Sequence, residues 1–178
     1  MTIDGFVAGP NGETDWRLRS GDEGGKKWIE QSLLQAGLHA VGRRSFEGWA
    51  GYWPTSSDPL AAPMNDIPKA VFTRQRSLDL GSYSGNWAAA EVVNGDLATE
   101  INRLKQQPGK DILAHGGVSF GQSLAASGLI DEYRLVVHPI ALGSGQSLFA
   151  QLTKRLDLEL RGTTLFRSGV AAHIYWPA

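Results

Sequence analysis

The chain is 178 residues long, with 42% apolar and 20% charged residues and a formal net charge of −1. Length and composition fit a single globular domain over 1–178 and exclude a disordered or fibrous chain, while the balanced charge excludes a general pull toward nucleic acid or an anionic membrane. Cysteine is absent, which removes disulfides, thiolate catalysis and thiolate metal sites; with no signal-peptide pattern and no apolar run near the ~20 residues of a membrane span, a cytoplasmic protein is expected.

Residues 1–8 predict the end of a strand, closed by the turn residues Gly9-Pro10-Asn11-Gly12, with a loop reaching Trp16. The next segment, 17–25, is polar and glycine-rich. Over 26–36, Trp28, Ile29, Leu33 and Ala36 fall on one helical face, with Gly37 as the C-terminal cap. A short strand over 39–41 ends at Gly42 and leads into a brief helix over 43–49. Prolines 54, 59, 63 and 68 predict an irregular connection over 52–68. A strand follows over 69–73, then a polar loop over 74–85 and a further strand over 87–93. Asp96 caps a helix that buries Leu97, Ile101 and Leu104 and stops at Pro108-Gly109. Ile112-Leu113-Ala114 is a buried strand. It enters, through Gly116 and Gly117, a helix with Phe120, Leu124 and Ala125 on one face and Gly128 as its stop. Residues 132–140, 155–161 and 170–176 alternate in polarity, and the last two predict an antiparallel edge on an otherwise mixed sheet. The class is α/β.

Two strand–glycine–helix junctions carry the functional signal: Gly42-Arg43-Arg44-Ser45 and His115-Gly116-Gly117-Val118-Ser119-Phe120. A helix start presents unpaired N–H groups, and glycine lets an anion come close to them. Together the junctions could hold both halves of a pyrophosphate-linked dinucleotide, with Arg43 and Arg44 adding charge. The same residues would equally close two tight turns with solvated arginines, and no Gly-x-Gly-x-x-Gly follows a strand. Thr73-Arg74-Gln75-Arg76 offers a hydroxyl and two guanidinium groups, either a clamp for a ribose 2′-phosphate or an ordinary charged loop.

A hydrolase reading competes for the second junction, because Gly117-Val-Ser-Phe-Gly121 satisfies Gly-x-Ser-x-Gly. Ser119 would be the nucleophile, with His138 or His173 as base and Asp131 or Asp157 as orienter. Against it, the chain beyond Ser119 reads as antiparallel strand, not as a large parallel sheet. His39, His115, His138 and His173 show no metal-ligand spacing, so no metal is expected. Asp4 and Glu23 are the candidate proton donors, although Asp4 equally suits a turn before Gly5 and Glu23, beside Asp22, an acidic helix start. Trp16, Trp49 and Tyr52 are candidate aromatic walls for a substrate.

Thr2-Ile-Asp-Gly-Phe-Val-Ala-Gly9, Val41-Gly-Arg-Arg-Ser-Phe-Glu47, Ala114-His-Gly-Gly-Val118 and Leu129-Ile-Asp-Glu-Tyr-Arg-Leu-Val-Val-His-Pro-Ile-Ala-Leu-Gly-Ser-Gly145 follow one another as in the dihydrofolate reductase-like superfamily. The chain resembles most its stand-alone bacterial members, akin to the reductase domain of riboflavin biosynthesis, over nearly its whole length. The resemblance implies a three-layer fold: a mixed, mainly parallel central sheet flanked by helices, with a C-terminal antiparallel hairpin. It implies NADPH across the two junctions. Gly42, Arg43, Arg44 and Ser45 would meet cofactor phosphates, and Thr73 and Arg74 would lie near the 2′-phosphate. Gly116, Gly117, Val118 and Ser119 would hold the pyrophosphate, with His115 and Phe120 beside them. It also implies a homodimer and hydride transfer to a small polar or heterocyclic substrate, pterin- or pyrimidine-like; a nucleotide-binding protein without reductase activity is the alternative. Three departures stand out. The strand leading to Asp4-Gly5 begins earlier in relatives, so a natural start upstream of Met1 is expected. Gly24-Gly-Lys-Lys-Trp28 replaces the helix carrying the substrate-binding acid, and Val137 replaces a threonine, so dihydrofolate itself is not the expected substrate.

Overall fold

Glycines and prolines set many of the element boundaries in the computed structural model, which describes residues 1–178. In chain order the elements are β1 (Phe6–Ala8), α1 (Trp16–Arg19), α2 (Glu23–Leu34), β2 (Ala36–Gly42), α3 (Arg43–Tyr52), a 3-10 turn (Trp53–Thr55), α4 (Ala61–Asp66), β3 (Lys69–Phe72), α5 (Gly85–Ala88), β4 (Glu91–Val93), α6 (Leu97–Lys105), β5 (Asp111–Ala114), α7 (Val118–Ala126), β6 (Tyr133–Val137), β7 (Gln146–Ser147), β8 (Leu158–Leu165) and β9 (Ala171–Pro177). They form two compact units, Met1–Trp28 with Gln122–Ala178 and Ile29–Gly121.

The unit Ile29–Gly121 is built on a parallel sheet in the order β4-β3-β2-β5. Central strand β2 is covered on both faces, so its sequence is a short apolar run interrupted by one histidine and need not alternate. On one face, Val41 and Val71 pack with Phe46, Ala50, Met64 and Trp87; on the other, Ala70 and Val93 pack with Leu104. The chain winds outward from β2 through β3 to β4, then returns to place β5 on the far side of β2. The order therefore reverses between β2 and β5. In open α/β sheets that reversal opens a crevice at the carboxyl ends of the strands. Helix α6 starts as the sequence predicts, with Asp96 Oδ1 accepting from the Thr99 N–H at 2.9 Å.

The unit Met1–Trp28 with Gln122–Ala178 holds antiparallel strands: β1 pairs with β7, and β6-β9-β8 form a three-stranded sheet. The C-terminal hairpin β8–β9 turns at Gly169, whose φ of +83° suits glycine. The N-terminal segment is divided. Thr2 bridges His138, Gly5 turns at φ +88°, and regular pairing begins only at Phe6.

Four local expectations are corrected. Helix α2 starts at Glu23, because Asp22 Oδ1 accepts the Gly25 N–H at 2.8 Å, and it ends at Leu34. Gly37 is thus a residue of β2 and not a cap, and Ile29 is partly exposed. Residues 52–68 are not irregular throughout: Pro54 and Pro63 sit in first turns, where a missing N–H costs nothing. Trp87 leaves the predicted strand for α5, since its indole N–H reaches Asn65 Oδ1 at 2.7 Å and its ring packs on Phe46. Finally, β8 starts three residues and ends four residues later than expected and leaves Leu160 and Leu165 exposed, as an edge strand with a bulge near Gly162.

Candidate functional site

Both glycine junctions lie at the carboxyl ends of β2 and β5, where the strand order reverses. Helix α3 follows Gly42, which is extended and offers no side-chain cap, so the first N–H groups of α3 receive no acceptor from the chain's own cap residue. Helix α7 follows Gly117, and its first backbone bond runs from the Gly121 N–H to the Gly117 carbonyl at 3.0 Å. The two helix starts adjoin. A Cβ on Gly117 would lie 3.4 Å from Ser45 Oγ and 3.7 Å from Gly42 Cα, and one on Gly42 would lie 3.2 Å from the Phe120 Cβ. Gly116 and Gly117 have φ of +118° and +85°, and a Cβ on Gly116 would sit 2.1 Å from Trp49 Cη2. Only glycine fits there. Phe120 stacks on Phe72 at 4.8 Å, which anchors the start of α7 to the sheet.

Cationic arms surround these junctions unevenly. Arg43 Nη1 donates to both oxygens of Glu47, at 2.8 and 2.9 Å, so much of its charge is already answered. Arg44, Arg74 and Arg76 are exposed. Thr73 Oγ1 accepts from the Gln75 N–H at 3.0 Å, and Asn94 Nδ2 donates to the Arg76 carbonyl at 2.8 Å, which fixes the loop that carries both arginines. The His115 ring is flanked by Trp49 at 4.9 Å and His39 at 4.6 Å. Burial first, then the Lys69 charge, lowers the His115 pKa to about 4. Burial, then His115 and Lys69, lowers that of His39 to about 3. Both imidazoles are neutral at pH 7. The assembly is therefore rich in backbone N–H donors and guanidinium groups, an arrangement suited to a phosphorylated ligand.

The remaining candidates are placed differently. Trp49 packs against Gly116 and shapes the turn; Tyr52 is 54% exposed and meets Trp53 edge to face. In the other unit Trp16 is buried, donates its indole N–H to the Glu13 carbonyl at 3.3 Å, and lines an open cleft of about 270 Å³ with Pro10, Arg19, Ile140 and Leu142. Asp4 Oδ1 accepts from Thr2 Oγ1 at 2.5 Å, while Oδ2 accepts the Leu142 and Gly143 N–H groups at 2.9 and 2.8 Å. The Thr2 hydroxyl, then the Gly143 amide, holds its pKa below the ordinary carboxylate value, so Asp4 is a fixed acceptor and a poor proton donor. Glu23 stands in solvent beside Lys26 at 3.3 Å. The acid that has buried work nearby is Asp22, which caps α2 and also accepts the Ser168 N–H at 2.8 Å.

The hydrolase constellation finds little support. His138 Nδ1 is 2.7 Å from Ser20 Oγ, and burial lowers its pKa to about 4, which makes it a weak base. His173 Nδ1 is 3.0 Å from Thr163 Oγ1, and Asp157 pairs with Arg155 at 2.9 Å. Two features escaped the sequence reading. The Arg43–Glu47 pair was open to detection from its i,i+4 spacing. The contact of Trp49 with Gly116 joins residues far apart in the chain and left no local signal.

Comparison with known proteins bears on this geometry. The RibD C-terminal domain family matches residues 1–172. The uncharacterized protein YyaP of Bacillus subtilis is 36% identical over 181 residues, covering 98% of this chain and 90% of its own. Among solved structures, a Shewanella sp. PV-4 protein provisionally assigned to riboflavin biosynthesis superposes with a TM-score of 0.78 at 19% identity, over 100% of this chain and 95% of its own. Dihydrofolate reductase of Enterococcus faecalis, complexed with NADP(H) and RAB-propyl, superposes with a TM-score of 0.63 at 15% identity, over 99% and 92% of the two chains. These superpositions share the α/β fold with its parallel central strands and C-terminal antiparallel strands. No helix is long and apolar enough to cross a membrane.

Proposed function

The chain belongs to the RibD C-terminal domain family, a family of reductase domains, and we propose from that premise that it is an NADPH-dependent reductase of a small heterocyclic substrate of the pterin or pyrimidine kind. The observation that carries the proposal is the pair of adjoining helix starts at the strand-order reversal, with Gly42 and Gly117 back to back. NADPH, when bound, supplies the hydride. The protein's own part is to bind and orient. The first N–H groups of α3 and α7, with Ser45 and Ser119, receive the pyrophosphate. Arg44, Arg74 and Thr73 receive the 2′-phosphate, and Arg43 contributes less because Glu47 shares it. Neither Asp4, bound as an acceptor, nor Glu23, in solvent, is placed as a buried proton donor, so water is the proton source in this reading.

The test is a titration with NADPH and NADH that follows quenching of the six tryptophans. A guanidinium–phosphate contact contributes about 1.5–3 kcal/mol, so NADPH should bind roughly 10- to 100-fold more tightly than NADH, and Arg74→Ala or Arg44→Ala should erase most of that preference. Failure of both cofactors to bind would end the proposal. Selectivity unchanged in both variants would remove the clamp but not the reductase.

A further inference from the structure

His39 is the anomaly of the core. It occupies the middle of β2 at 1% exposure, in register with Lys69 of β3 and Leu113 of β5. Neither of its ring nitrogens has a hydrogen-bond partner in the protein, and Nε2 of His115 has none either. A buried polar atom without a partner weakens a fold, and a leucine at this position would carry no such penalty. Sequences break a local rule of this kind chiefly where a site demands it. What His39 touches is the ring of His115, edge to face, with centroids 4.6 Å apart and planes at 73°. His115 is also packed by Trp49, whose indole fills the space that a side chain on Gly116 would need. A flat ring suits this contact, and imidazole is the smallest aromatic side chain.

We propose that His39 is a positioning residue for the second glycine junction: through the His115 ring, and together with Trp49, it holds the His115-Gly116-Gly117 turn in its positive-φ form at a cost to the stability of β2. The effect on cofactor binding rests on the reductase reading above; the effect on the turn does not.

The experiment compares the wild-type protein with His39→Leu. In ligand-free protein, ¹⁵N relaxation should give Gly116 and Gly117 amide order parameters near the rigid value of about 0.85, falling toward about 0.6 in the variant. The melting temperature should move the other way and rise by about 2–4 °C or more. A residue with a purely structural role would lower both. With NADPH, the variant should bind roughly fivefold more weakly. Unchanged order parameters at the two glycines, a lower melting temperature, or failure of the variant to fold would each overturn the proposal. Absence of NADPH binding by the wild type would instead strike the reductase reading and leave the turn measurement to decide this one.

Discussion

Replacing Gly116 by alanine tests the construction of the cradle directly. The new Cβ would lie 2.1 Å from Trp49 Cη2, 2.5 Å from Cζ2 and 3.2 Å from Cζ3. Ordinary contacts begin near 3.4 Å, so the indole must retreat by more than 1 Å or the turn must open. Retreat is resisted, because Trp49 packs on His115 and on the cluster around Phe46 and Trp87. Overpacking of this kind costs about 1–3 kcal/mol. The backbone adds a further term, since φ at Gly116 is +118° and a side chain there is strained by roughly 1–3 kcal/mol. The sum, about 2–6 kcal/mol, corresponds to a melting temperature lower by roughly 4–24 °C for a chain of this size. Urea denaturation of Gly116→Ala, Trp49→Phe and the double variant separates the two terms. In the Trp49→Phe background the steric term should largely vanish and the strain remain, which gives a coupling of about 1–3 kcal/mol. A Gly116→Ala cost under about 1 kcal/mol, with additive single variants, would show that Trp49 does not fix the turn.

Acid should destabilise the protein well above the usual carboxylate range. His39, His115 and His138 have folded pKa values lowered to about 3, 4 and 4 from an ordinary 6.5. Above pH 6.5 these groups are neutral in both states and the stability is intact. As pH falls below it, the unfolded chain takes up protons that the folded chain refuses, so stability is lost down to the folded values, by about 1.4 kcal/mol per pH unit for each buried imidazole. Urea midpoints between pH 7 and 4 should fall steeply, less so in His39→Leu; a flat profile to pH 5 would show that the imidazoles are not buried neutral. Asp4→Ala should lower the melting temperature by releasing Leu142 and Gly143, yet leave the pH profile of turnover in place. Loss of an ionisation from that profile would return Asp4 to the role of proton donor.

The legible parts of this protein were those written in local chemistry. Asp96 caps α6 because its carboxylate reaches an N–H three residues on, and Gly128 ends α7 at φ +64°; both follow from neighbours in the chain. The same holds for the junctions at Gly42 and Gly116-Gly117, and the second of them, with the segment 129–145, carries the sharpest part of the family resemblance. The errors came where distant residues decide. Trp87 reads as strand by propensity, but Asn65, Phe46 and the Lys69 ammonium, 4.5 Å from its ring, draw it into a helical turn. For Asp4 the sequence leaves proton donor and turn residue both open, and the two amide donors that hold its carboxylate lie well over a hundred residues away. Edge strand β8 is displaced although its leucines alternate, because Leu156 and Leu158 are only half-buried and Leu160 is left in solvent.

His39 belongs to neither group, and that makes it informative. In the sequence it sits in a short apolar run where a histidine is most simply taken as a hydrogen-bonded strand residue, yet its nitrogens have no partner. A parallel strand buried on both faces gains nothing from an imidazole there; valine or leucine would serve the sheet better. The ring is accounted for only by what lies one residue beyond the end of β5, at His115, where the chain must enter two consecutive positive-φ glycines before α7 can begin. Glycine can take that conformation but cannot enforce it, since it loses more conformational freedom on ordering than any other residue. The enforcement has to come from rings packed around the turn, and Trp49, His115 and His39 are the rings in place to supply it.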